Sequence, residues 1–135
     1  MRRLLSAIAR AMILSVLVIT LVESLGWLWW HPGPKVDLSD PKQLAAMMKH
    51  VPLVNQALVV LGWTLGPWFG VRWVTRRDPE NWHLVAFLVG SASTAAGIYQ
   101  VVLVPHPLWM TIAAFVVALP AALLGGWQGF RANAR

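Results

Sequence analysis

The sequence predicts an all-α membrane protein: a four-transmembrane-helix bundle with a short amphipathic surface helix in the first outer loop. Three observations predict it. The 135-residue chain is 58% hydrophobic and 12% charged, whereas a soluble domain has about a quarter of its residues charged. Its apolar residues gather in four runs of about 20 residues or more, the length that crosses a hydrocarbon core. Its arginines stand at the ends of those runs, on a single side if the chain crosses four times.

The length allows one domain. The spans fall at about 4–30, 52–74, 83–104 and 108–130. Span one begins after Met1-Arg2-Arg3, which resembles the start of a secretory signal. Its apolar stretch continues to Trp30 with no small-residue cleavage site, so it reads as an anchor. Arg10 can extend its stem and reach the headgroups. Trp27, Trp29 and Trp30 close the span as an interfacial aromatic belt, and Trp73, Trp82, Trp109 and Trp127 occupy comparable positions on the other spans.

Orientation follows from charge. Arg2, Arg3 and Arg10 precede span one, Arg72, Arg76 and Arg77 lie between spans two and three, and Arg131 and Arg135 close the chain. Four crossings place all of these on one side, expected to be the cytoplasm. Lys35, Lys42 and Lys49, diluted by Asp37 and Asp40, fall on the other. The formal net charge of +6 therefore reports topology, and no nucleic-acid partner is expected. The expected location is a bacterial inner membrane, with both termini cytoplasmic.

The first outer loop is the only long connection. His31-Pro32-Gly33-Pro34 excludes helix there. Asp40 then offers an N-cap, Pro41 suits the first helical position, and Gln43 completes a capping box. Leu44, Met47, Met48 and Val51 follow at helical spacing opposite Lys42 and Lys49, which predicts a surface helix over about 41–50. Asp78-Pro79 and Pro107 start spans three and four in the same manner.

In lipid, helices associate where small residues let backbones approach. Span two carries Gly62, Gly66 and Gly70 on one face, span three Gly90 and Gly97, and span four Gly125 and Gly129. These predict packing within the bundle or a face for a partner, while span one shows no such stripe and is expected at the periphery. Pro67 and Pro120 predict kinks in spans two and four.

Among residues able to carry chemistry, Glu23 is the one carboxylate inside a span, and an intramembrane carboxylate is a functional hypothesis because burying it is costly. His106, in the turn before span four, shares its side of the membrane. A Glu23–His106 pair would bind a headgroup, move a proton or lock two spans together. Asn55, Gln56, Tyr99 and Gln100 are expected to seek interhelical hydrogen bonds. Trp63 and Trp68 lie too deep for the belt and could line a pocket. With no Cys and no ligand-spaced histidines, neither a metal nor another cofactor is expected. No nucleophile triad, phosphate loop or dinucleotide fingerprint occurs, so an enzyme is not expected.

Glu23, the Asp40-Pro41 cap, the Gly62 to Gly70 run and Pro105-His106-Pro107-Leu108-Trp109 together resemble a family of small uncharacterised bacterial membrane proteins with four spans. That resemblance implies topology and no activity. The small multidrug resistance transporters are also four-helix chains with a glutamate in span one, but Glu23 lies nearer the surface and the first loop is longer. Tryptophan-rich sensory proteins share the flavour of Gly66-Pro67-Trp68 but have five spans.

The functional expectation is a non-catalytic membrane component, either an accessory subunit of a larger complex or a small homo-oligomer, with the bilayer and a membrane protein as partners. The alternative is a small transporter or lipid-binding protein using Glu23 and His106. A pigment-bearing subunit is a third reading, drawn from the nine tryptophans and the histidines.

Overall fold

The apolar runs coil into helices because a backbone in lipid must satisfy its own hydrogen bonds. The computed structural model describes residues 1–28, 30, 37 and 39–133. Trp29, the His31–Pro34 segment, Lys35 and Arg135 lie outside the described residues. The elements are α1 (Arg2–Gly26), α2 (Pro41–Met48), α3 (Leu53–Thr75), α4 (Trp82–Leu103), α5 (Leu108–Val116) and α6 (Ala118–Asn133). The described residues are all-helical, and α1, α3, α4 and the α5–α6 pair are each long and apolar enough to cross a membrane. The architecture is a four-helix membrane bundle.

Boundaries differ from expectation where local chemistry intervenes. α1 starts at Arg2, since exposed arginine stems tolerate a helical start, and it ends at Gly26 rather than near Trp30. There Trp27 N–H donates to Ser24 O and Leu28 N–H to Leu25 O, tightening the last turn. Pro67 sits inside α3 without ending it. The fourth span does break: Val117 separates α5 from α6, three residues before Pro120. Proline has no N–H for the carbonyl of Val116, and the chain bends where that bond is missing.

α2 is set by its caps. The Asp40 carboxylate accepts from Lys42 N–H at 2.9 Å and from Gln43 Nε2 at 3.1 Å. The return arm of the box goes elsewhere than expected: Gln43 Oε1 accepts from Asp37 N–H at 3.0 Å rather than from Asp40. The helix ends at Met48, with Leu44, Met47 and Met48 half-buried and no residue fully buried.

α3 is the hub of the bundle, packing against α1, α6 and α4. α1 runs antiparallel along its glycine stripe in steps of four: Gly62 faces Ile19, Gly66 faces Ser15 and Ile19, and Gly70 faces Ala11 and Ser15. A Cβ at Gly70 would stand 2.5 Å from the Ala11 carbonyl oxygen, and one at Gly66 would stand 2.7 Å from that of Ser15. α1 does lie at the edge of the bundle, touching α3 and α4, but it has a smooth face of its own. Ala7, Ala11 and Ser15 are buried at successive turns. Ser15 Oγ donates to Ala11 O at 2.7 Å, which keeps the hydroxyl satisfied within its own helix.

On the other side α6 runs parallel to α3. Gly125 meets the Trp68 carbonyl and Gly129 meets Arg72 and Thr75. Thr75 Oγ1 reaches Gly126 O at 3.3 Å, and Asn133 Nδ2 donates to Arg76 O at 2.9 Å. α4 closes the bundle, with Gly90 against Leu119 and Ala122, and Gly97 against Ala114. Val71, Val74, Ala86, Val89 and Ala122 are 0% exposed and form the core with Ala7, Ala11 and Val85.

The approach at Gly70 predicts that Gly70→Ala costs about 1–3 kcal/mol, as overpacking does. Gly97→Ala, where the nearest atom to a Cβ is 3.6 Å away, is expected to be neutral or stabilising by up to about 1 kcal/mol through helix propensity. Unfolding midpoints in mixed micelles measure both, and equal effects at the two sites would contradict this packing.

The Lys42 amide, then the Gln43 side chain, hold Asp40 below its ordinary carboxylate range. With a folded value below the unfolded one, its contribution to α2 is present above about pH 3.9 and is lost as pH falls through the lowered value. The Lys42 amide resonance should therefore titrate with a midpoint below that of an unstructured aspartate. A midpoint at or above it would show that the cap does not form.

Candidate functional site

The bundle has two ends, a loop end that carries α2 and the Pro105–Pro107 turn, and an arginine end. Glu23 lies near the loop end of α1, beside Gly62: a Cβ there would be in ordinary contact with Glu23 Cγ, at 3.5 Å. The Trp63 indole approaches the carboxyl, yet Glu23 Oε1 is buried without a hydrogen-bond partner. His106 is half-buried, and its Nδ1 lies 2.6 Å from Val104 O. A carbonyl only accepts, so Nδ1 carries the proton there. The Trp63 and His106 rings pack with centroids 6.3 Å apart.

Glu23 and His106 are thus brought to one end, but they form no ion pair. Among the described residues the ion pair is Arg10–Asp78 at 3.7 Å, which ties α1 to the α3–α4 connection. Trp63 packs beside both candidates. It has Met110 and Ala114 as core neighbours. At 6% exposure, Trp63 belongs to the core rather than to a pocket. Asn55 makes the expected interhelical bond, Nδ2 to Gly26 O at 2.9 Å, and leaves Oδ1 buried without a partner. Gln56 bonds locally to Val51 O, and Tyr99 points outward.

Gly62, Gly66, Gly70, Gly90, Gly97, Gly125 and Gly129 are all used in contacts between helices of this one chain. The faces they form are covered by α1, α3, α5 and α6.

Trp68 does line open space. At the arginine end a crevice of about 610 Å³ is bordered by Trp68, Phe69, Arg72, Trp73, Arg76 and Arg77. A second, of about 380 Å³, lies between α3 and α6 beside Arg72, Trp127, Gln128 and Arg131. An apolar groove of about 420 Å³ continues from Trp68 along Leu65, Val117, Pro120 and Leu124. Trp68 Nε1 donates to Gln128 Oε1 at 3.1 Å, pinning the indole between the first crevice and the apolar groove.

Three guanidinium groups stack on indoles here: Arg72 over Trp68 at 5.0 Å, Arg77 over Trp73 at 3.7 Å and Arg131 over Trp127 at 4.2 Å. The sequence carries the signal as Trp-x-x-x-Arg three times, a spacing that puts both side chains on one helical face. It is hidden by the ordinary explanations of arginine as topology and tryptophan as belt. None of Arg72, Arg76, Arg77 and Arg131 pairs with a carboxylate among the described residues.

Comparison with protein-family models, curated proteins and solved structures finds no match. Function must be argued from the geometry of the bundle itself.

Proposed function

We propose that this chain is a non-catalytic component of a bacterial inner membrane, an accessory subunit of a larger membrane complex or a small homo-oligomer. Its arginine end, with both termini, faces the cytoplasm, a reading supported by the excess of arginine there. The observation that carries the proposal is the solid core. Ala7, Ala11, Val71, Val74, Val85, Ala86, Val89 and Ala122 are 0–2% exposed, and Trp63, Met110 and Ala114 continue the packing toward the loop end. A bundle filled with small apolar side chains along its axis acts through its sides and ends. Those sides are broad and apolar, with Leu17, Leu21, Phe87, Val102, Ile112 and Phe115 exposed.

Purification from native membranes in mild detergent, followed by light-scattering mass measurement, tests this. The protein mass is expected to exceed one 14.9 kDa chain, through a second copy or a distinct subunit. A monomer with no protein partner would overturn it.

A second reading, a small transporter or ligand-binding protein, is favoured by one observation: Glu23 Oε1 is buried without a donor beside Trp63. Glu23→Gln should then abolish proton-coupled flux or ligand binding in reconstituted vesicles. Unchanged flux in the variant would remove Glu23 from any such role.

A further inference from the structure

The arginine end has the form of an amphiphile site. Arginine stacked on an indole can still turn N–H groups toward a phosphate, whose oxygens its planar fork matches. Arg77 already gives one N–H to Trp73 O at 3.2 Å, so the site centres on Arg72 and Arg131. Arg72 borders both crevices at this end, facing Arg76 and Arg77 along α3 and Arg131 across on α6. The described residues offer these guanidinium groups no carboxylate, so their positive field is left for an external anion.

The apolar groove begins where the charge ends. Trp68 borders both the arginine crevice and the groove, and the groove's other walls include Leu65, Val116, Val117, Pro120 and Leu124, with Thr64 the one polar side chain among them. Its opening follows from the fold. Gly125 and Gly129 clamp α6 onto α3 near the arginine end, and beyond the bend at Val117 the chain runs chiefly along α4. The two spans therefore part on the lipid side of α3. From Arg72 to Leu65 the helix descends about 10 Å toward the middle of the membrane, so charged head and apolar channel are stacked in the order of a phospholipid.

We infer that this surface, joined through Arg72 and Trp68, binds one anionic phospholipid, with its phosphate between Arg72 and Arg131 and an acyl chain in the groove past Trp68. The charge at the mouth selects an anion, and the apolar channel selects a lipid over a free anion. Basic pockets between membrane helices hold anionic headgroups by the same means.

Native mass spectrometry of the full chain, released from micelles containing equal phosphatidylglycerol and phosphatidylcholine, tests the inference. One phosphatidylglycerol is expected to remain bound in preference to phosphatidylcholine. The double variant Arg72→Gln/Arg131→Gln should lower that occupancy at least tenfold, while Arg2→Gln/Arg3→Gln, with the same loss of charge at the same end, should leave it unchanged. Arg72→Lys/Arg131→Lys should recover part of it, and helical circular dichroism of every variant should match the parent. Equal losses in the two glutamine variants would mean diffuse surface charge and would overturn the site. Displacement of the lipid by equimolar inorganic phosphate would mean a free-anion site and would overturn it too. A photoreactive amino acid in place of Leu124 should cross-link to lipid; cross-linking to a protein instead would show that a partner helix fills the groove.

Discussion

The close approach of α1 to the glycine stripe of α3 is the contact on which the remaining structure depends. Leucine and valine gain little by leaving lipid for one another, so membrane helices hold where backbones come near enough for dense dispersion contacts. Gly66 and Gly70 receive the carbonyls of Ser15 and Ala11 at distances that leave no room for a side chain. α1 contributes the complementary surface by keeping Ala7, Ala11 and Ser15 on one ridge. The ridge stays smooth because Ser15 turns its hydroxyl back to Ala11 O.

That contact fixes which way α3 faces, and thereby sets the site. With the Gly62–Gly70 face occupied by α1, another side of α3 remains for α6, which runs parallel and places Gly125 and Gly129 against the carbonyls of Trp68 and Arg72. Backbone packed on backbone leaves the Trp68 and Arg72 side chains at the margin of the interface. There Trp68 is held by Gln128 and Arg72 stacks above it. The missing amide of Pro120 then lets the fourth span bend at Val117, opening the groove that continues this margin into the apolar interior. Small residues, one proline and three Trp-x-x-x-Arg steps thus act in sequence to build a surface with a charged mouth and an apolar channel.

Much of the fold is legible in the sequence because a membrane leaves few options. Run length and arginine placement mark four spans, and Asp40-Pro41 marks the start of α2. The partner of the α3 glycines is harder to see. Alanine and serine at positions 7, 11 and 15 look like ordinary content of a hydrophobic anchor, and only the register with α3 reveals their role. Glu23 and His106 form no ion pair; each neighbours Trp63 instead, a contact that helix spacing does not reveal. The arginine–tryptophan cluster is present as a local repeat. Its meaning emerges when α3 and α6 bring Arg72 and Arg131 to one crevice.

The central claim is that α1 lies antiparallel on the glycine face of α3. The chain has no native cysteine, so paired substitutions test it without background. A Cβ at Gly62 would lie 3.5 Å from Ile19 Cα, so cysteines at these two positions would stand side by side. Oxidation of Ile19→Cys/Gly62→Cys in membranes should give a rapid intramolecular disulfide, whereas Ile19→Cys/Gly97→Cys, with its second site facing Ala114, should remain reduced. Failure of the first pair to close, or closure of the second at a comparable rate, would contradict the account.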